Sequence, residues 1–191
     1  MAIINSNIIL IGPVGSGKST QGKLVAEALN IQSISLDEIA DKYYDEYGFG
    51  MSKFGEVEKR SGFLEAYRQW WSALAFAAKR VTKDYTNCVI DYGAGHSHYE
   101  NKNLFESVSE ALAHVSNVIL LLPSSDLDKS VSILRERSIE ERKRDWIHDG
   151  YDFMEHWVKD DCNHLLATAT IYTEGKEPEQ TRDEILEVIN A

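Results

Sequence analysis

Apolar residues fall in short blocks along this chain, and the blocks alternate between continuous runs and helical spacing. The opening block, residues 3–11, is rich in Ile and ends at Gly12-Pro13, the pattern of a buried strand running into a turn. Over residues 18–29 the apolar positions Leu24, Val25, Ala28 and Leu29 recur at helical spacing, and a short second strand is expected at about 32–36. Ser35 followed by Glu38 forms a capping-box pattern that predicts a helix from near Leu36, broken by Gly48 and Gly50. Over residues 61–81, Phe63, Leu64, Tyr67, Trp70, Trp71, Leu74, Ala78 and Val81 share one face of an amphipathic helix.

The alternation continues to the end. A third strand is expected at 88–92, closed by Gly93 and Gly95, then a helix at 103–113 and a fourth strand at 117–122 closed by Pro123. Ser124 or Ser125 is the expected cap of the next helix, which runs through Leu134 into a charged segment at 135–145. A helical region at 152–166, a fifth strand at 168–172 and a last helix opened by Pro178 complete the pattern. Strands alternating with helices imply parallel pairing through right-handed crossovers, with helices on both faces of the sheet. No repeat or linker divides residues 1–191, so the expectation is a single α/β domain.

Composition narrows the classes. Lys and Arg number 20 against 31 Asp and Glu, a net charge of -11, which argues against nonspecific nucleic-acid binding. No apolar run approaches the roughly 18 residues that cross a bilayer, so no membrane partner is expected and the chain reads as a soluble, cytoplasmic-type protein. Cys88 in a core strand and Cys162 in a helical stretch read as two buried thiols rather than a disulfide.

The chemistry starts at Gly12-Pro13-Val14-Gly15-Ser16-Gly17-Lys18-Ser19, which fits glycine, four residues, then Gly-Lys-Ser. Glycines let backbone amides approach phosphate oxygens, and the helix N-terminus beginning near Lys18 adds partial positive charge. Such a loop implies a nucleoside triphosphate held as its Mg2+ complex. Val14, Gly15, Ser16 and Gly17 would lie along the phosphates, Lys18 would reach the β- and γ-phosphates, Ser19 would ligate magnesium, and Thr20 is a further phosphate contact.

In a doubly wound sheet, ligands gather at the carboxyl ends of the strands. Asp37 follows the second strand and is a candidate to orient an acceptor hydroxyl or take its proton. Asp91 ends the third strand and is a candidate magnesium ligand, and either it or Asp37 would position the acceptor hydroxyl. Gly93 and Gly95 would let backbone approach a substrate. The segment at about 135–150 carries Arg135, Arg137, Arg142 and Arg144 and reads as a mobile lid, at least one of whose arginines closes on the phosphoryl group. Arg60 and Arg68 are candidates to hold an anionic acceptor. His96 and His98 form a His-x-His pair, but no Cys or second His stands at a matching spacing, so no zinc site is expected.

With these motifs the chain resembles the small P-loop kinases, most of all the shikimate kinase-like group. The resemblance spans nearly the whole length, from Gly12–Thr20 through Asp37, the glycine turn after the third strand and the arginine-rich segment, to Ile171-Tyr172-Thr173 and Pro178. It implies a three-layer P-loop fold, a five-stranded parallel sheet in the order 2-3-1-4-5, and transfer of the γ-phosphoryl group of ATP to a small-molecule hydroxyl. It also implies that the loop from Thr173 to Pro178 borders the adenine, with Arg135 packing on the other face of the base. The chain departs from the shikimate-specific pattern in three places. A single Asp37 stands where a paired Asp-x-Asp is usual. Asp91-Tyr92-Gly93-Ala94-Gly95 replaces three consecutive glycines, and the middle segment is long and aromatic. A nucleoside or nucleotide kinase and an ATP-binding regulatory module remain as alternatives, acting as a monomer or homodimer.

Overall fold

The computed structural model describes residues 6–190. The start of the expected first strand, Ile3 and Ile4, lies outside these residues. Strand β1 (Ile8–Ile11) is buried along its whole length and leads through the glycine-rich loop into helix α1 (Lys18–Leu29). Strand β2 (Gln32–Ser35) runs straight into α2 (Leu36–Ile39), followed by α3 (Asp41–Tyr47), which ends at Gly48 in the left-handed region. Helices α4 (Met51–Ser61) and α5 (Phe63–Asp84) follow, then β3 (Cys88–Asp91), a 3-10 turn at Ala94–His96, α6 (Lys102–Leu112) and β4 (Asn117–Leu122). Helix α7 (Leu127–Arg142) leads to a small hairpin of β5 (Ile147–His148) and β6 (Tyr151–Asp152). Helices α8 (Phe153–Lys159) and α9 (Asp161–Leu166), strand β7 (Ala169–Tyr172) and α10 (Pro178–Asn190) finish the chain.

The main sheet has the order β2-β3-β1-β4-β7, all pairs parallel, which is 2-3-1-4-5 when its own strands are counted. Alternation of side chains along each strand builds two cores. Ile9, Ile11, Ile90 and Leu120 face α5, burying Leu74, Ala77 and Ala78. Ile8, Leu10, Val89, Ile119 and Leu121 face the opposite side, against Val25 and Ala26 of α1 and Ile185 of α10. Burying about five aliphatic strand residues per face at roughly 1.5–3 kcal/mol each fixes the sheet as the rigid base of the site.

Three local expectations change. The Ser35 capping box does not form, because the Ser35 hydroxyl donates to Asp91 at 3.1 Å instead. Asp126, not Ser124 or Ser125, caps α7 by accepting from the Lys129 amide at 3.1 Å. The chain between Gly50 and Gly62 forms a helix of its own, α4, because its apolar positions Phe54 and Val57 reach the core. No described helix is long and apolar enough to cross a membrane.

Candidate active site

The glycine-rich loop opens where β1 ends. Gly12 holds φ +138, and a side chain there would come within 2.6 Å of the Leu121 carbonyl, so strand β4 leaves room only for glycine. Gly17, at φ 95, turns the chain into α1 and aims the first helical amides into the loop. Lys18 folds back along this loop and donates from Nζ to the Pro13 carbonyl at 2.7 Å. It is buried, and burial pushes its amine down to about 8, against the opposing pull of Asp37 and Asp91. A buried ammonium with one neutral partner is a site waiting for an anion.

Asp91 sits at the floor. It is 3% exposed and accepts from the Ser19 hydroxyl at 3.0 Å and from Ser35 at 3.1 Å. Burial raises its carboxyl above the ordinary value, with both hydroxyls and Lys18 pulling the other way. The hydroxyl of Ser19 and the carboxylate of Asp91 are hard oxygen donors facing one space, and they suit Mg2+ rather than a softer metal. Val14, Gly15, Gly17, Lys18, Ser19, Thr20, Asp37 and Asp91 line a cavity of about 320 Å³, closed on the far side by Arg137 and Arg142.

A second cavity of about 250 Å³ opens beside it and shares Val14, Asp37 and Ala94. Its walls are aromatic: Tyr44 from α3, Phe54 from α4, Phe63, Tyr67 and Trp70 from α5, and Trp146 and Trp157 from beyond α7. Arg144 is the one cation of this lining, placed over the Trp146 ring at 5.5 Å. Asp37 stands at the junction with its side chain 67% exposed. Gly93 makes that position possible, since a side chain on Gly93 would overlap the Asp37 carboxylate. Gly95 likewise admits the Tyr67 hydroxyl, which would lie 2.5 Å from an added Cβ. Behind Asp37, His96 is fully buried. Its Nε2 is 2.8 Å from the Tyr44 hydroxyl and its Nδ1 is 3.7 Å from Asp37. Burial lowers its pKa, so near neutral pH the imidazole carries no charge.

On the opposite side of the loop lies a third cavity of about 180 Å³, bordered by Ser16, Gly17, Thr20, Arg137, Thr173, Lys176 and Pro178. Gln21 donates to the Pro178 carbonyl at 2.9 Å and ties α10 to α1 there. Arg137 spans this cavity and the phosphate cavity, and its guanidinium donates to the Gly15 carbonyl at 3.2 Å.

Several expected residues are placed elsewhere. Arg135 turns away from the loop, pairing with Asp152 and donating to the Asp145 carbonyl at 3.4 Å. Two residues along a helix rotate a side chain by about 200°, so Arg135 and Arg137 face opposite sides of α7. Arg60 is exposed and Arg68 pairs with Glu100 at 3.3 Å, so neither lines the aromatic cavity. The segment expected as a lid carries the hairpin, whose tip is a left-handed Asp149-Gly150 turn. Asp149 accepts from the Leu64 amide at 2.9 Å and His148 stacks on Phe63, docking that tip on the start of α5. Tyr44, Phe54, Trp146 and Trp157 were not expected in a site. Their signal was aromatic residues at helical spacing, which core packing explains equally well.

No family model matches the chain. A shikimate kinase of Sulfurihydrogenibium sp. is 25% identical over 184 residues, covering 94% of this chain and 95% of that protein. A shikimate kinase of Caldicellulosiruptor bescii is 38% identical over 89 residues, 47% of this chain and 45% of that protein, so the higher identity spans only about half of either. Among solved structures, a shikimate kinase from Acinetobacter baumannii in complex with shikimate superposes with a TM-score of 0.66 at 18% identity, covering 97% of this chain and 93% of that one. A gluconokinase from Sinorhizobium meliloti gives 0.53 at 15% identity, covering 98% and 93%. These structural likenesses establish the fold, and the sequence match along nearly the full length agrees with it. By sequence along nearly its whole length and by fold, the chain is similar to the shikimate kinases.

Proposed function

We propose that this protein transfers the γ-phosphoryl group of ATP to a hydroxyl of a small ring compound bearing one anionic group. The observation that carries this reading is the meeting of the phosphate cavity and the aromatic cavity at Asp37. A nucleotide lying along Gly12 to Thr20, with its base toward Thr173 and Pro178, directs its terminal phosphate at that junction. Ser19 and Asp91 would hold Mg2+, which when bound neutralises charge on the β- and γ-phosphates. Lys18, Arg137 and Arg142 border the same space and are placed to stabilise charge on the transferring group.

Asp37 and Asp91 divide the acidic roles by environment. Asp91 is buried and held by two hydroxyls, so it cannot reach an acceptor. Asp37 is exposed toward the aromatic cavity and is positioned to orient the acceptor hydroxyl and take its proton as the new oxygen–phosphorus bond forms. The aromatic walls suit the face of a ring, and Arg144 suits one carboxylate or phosphate on it. The extent of those walls also favours a second reading, a nucleoside acceptor stacked through its base.

The test is acceptor-dependent ADP release from Mg-ATP, with shikimate, gluconate and nucleosides as acceptors. Turnover greatest with a hydroxylated ring acid, and reduced about 10²–10⁴-fold in Asp37→Asn with ATP binding retained, is the expected result. Turnover only with nucleosides selects the second reading. ATP binding with no acceptor-dependent turnover overturns both and leaves a regulatory module.

A further inference from the structure

Of the two histidines after β3, only His96 faces the aromatic cavity. His98 points the other way, is 1% exposed, and neither of its ring nitrogens has a hydrogen-bond partner. An imidazole buried with both nitrogens unpaired calls for an explanation. Its neighbours come from the junction of α8 and α9, far along the chain. Asp160 lies 3.5 Å from Nδ1, and Cys162 is a free buried thiol. One nitrogen of His98, a carboxylate oxygen of Asp160 and Sγ of Cys162 all lie within 4.8 Å of one another.

We propose that His98, Asp160 and Cys162 form a zinc site that pins the loop after β3 to the α8–α9 junction. Imidazole, carboxylate and thiolate together are the donor set of zinc, whereas Mg2+ and Ca2+ select oxygen alone. Bonds of about 2.0–2.3 Å in a tetrahedron put ligand atoms about 3.3–3.8 Å apart, so the three need close by only about 1 Å. The exposed ring of His156 lies 6.3 Å from that of His98. Two imidazoles on one tetrahedral zinc stand about 5 Å apart, so His156 or a water completes the set. Asp160, with a third of its side chain exposed, gives the ion a path from solvent.

The site is separate from the phosphoryl-transfer chemistry, since none of its three residues lines the phosphate or aromatic cavity. Its role is to brace. The loop it holds carries Gly95 and His96 into the aromatic cavity, and α8 carries Trp157 into the same wall. This inference stands whatever the acceptor is.

The experiment uses the full chain stripped with chelator, without nucleotide or Mg2+, titrated with Zn2+ alone and separately with Co2+ alone. One equivalent of zinc, a raised Tm, and a thiolate-to-cobalt charge-transfer band lost in Cys162→Ser are expected. His98→Asn is expected to weaken zinc at least about 100-fold, the upper range for changes even outside the ligand shell. Asp160→Asn preserves the α9 cap and serves as the test if the buried serine disrupts folding. Zinc uptake unchanged in these variants, or cobalt bound without the thiolate band, overturns the site. So does the absence of uptake by the unaltered protein, which would leave a metal-free buried His–Asp contact.

Discussion

The phosphate cavity and the aromatic cavity share Asp37, Val14 and Ala94, yet they are built by different means. Half of the residues lining the phosphate cavity come from one short stretch, Val14 to Thr20, whose backbone conformation shapes the loop. Its buried cation, Lys18, is held a few residues from its partner Pro13. The aromatic cavity instead gathers side chains from α3, α4, α5, the turn after β3 and the segment after α7. A locally encoded site tolerates drift elsewhere in the chain, whereas one assembled from many elements changes whenever any of them moves. That difference explains how a common phosphate loop can serve different acceptors.

The sharpest way to break the comparison is Lys18→Met, which removes the locally encoded charge and leaves the aromatic cavity intact. Transfer is expected to fall about 10²–10³-fold while the circular dichroism spectrum is unchanged. Turnover within a few-fold of the unaltered protein would remove the phosphate cavity from the mechanism.

Gly95→Ala probes the assembled side. The added Cβ meets the Tyr67 hydroxyl at 2.5 Å and Leu74 at 3.2 Å, so the acceptor KM is expected to rise about tenfold with ATP affinity unchanged. Tyr67→Phe in the same chain is expected to restore it, because that buried hydroxyl has no hydrogen-bond partner to lose. Failure of the rescue would mean that Gly95 acts through its backbone rather than by making space.

The lowered pKa of Lys18 gives a pH signature belonging to the phosphate cavity alone. Bound phosphates favour the ammonium, so ATP affinity is expected to fall by up to about tenfold per pH unit above about 8. For the free protein the sign is opposite. Between about 8 and the ordinary lysine value of 10.5 the unfolded chain binds more protons, so this group makes the fold more stable as pH rises. Calorimetric titration and thermal melts beside Lys18→Met check both slopes, which should vanish together in the variant.

The smallest effect is expected from the hairpin. Asp149→Ala removes the carboxylate that accepts from Leu64 at the start of α5, and should cost about 1 kcal/mol of stability in a denaturant titration. A larger loss of turnover than of stability would show that docking of the hairpin tip contributes to the aromatic cavity directly.

The sequence was most legible where chemistry depends on neighbours in the chain. Gly12 to Ser19 announced its conformation through glycines that backbone geometry requires, and the strand runs announced a parallel sheet because strands covered on both faces must be apolar throughout. Legibility failed where one residue type serves two ends. The aromatic stripe of α5 reads as core, and part of it is core, for Trp71 is buried while Trp70 and Tyr67 line the cavity. The arginines of α7 were equivalent in composition, and the helical phase decided that Arg137 faces the loop and Arg135 faces Asp152.

The sequence by itself therefore determined the fold class and the phosphate loop, which follow from local spacing and backbone geometry, whereas the strand order was what the family resemblance implied. Tertiary structure alone decided that Asp37 faces the aromatic cavity while Asp91 lies beneath the loop, and that Arg60 and Arg68 stay outside. It alone brought His98 to Asp160 and Cys162. These are contacts between segments far apart in sequence, and they depend on how helices cross the sheet, a property that no short window of residues contains.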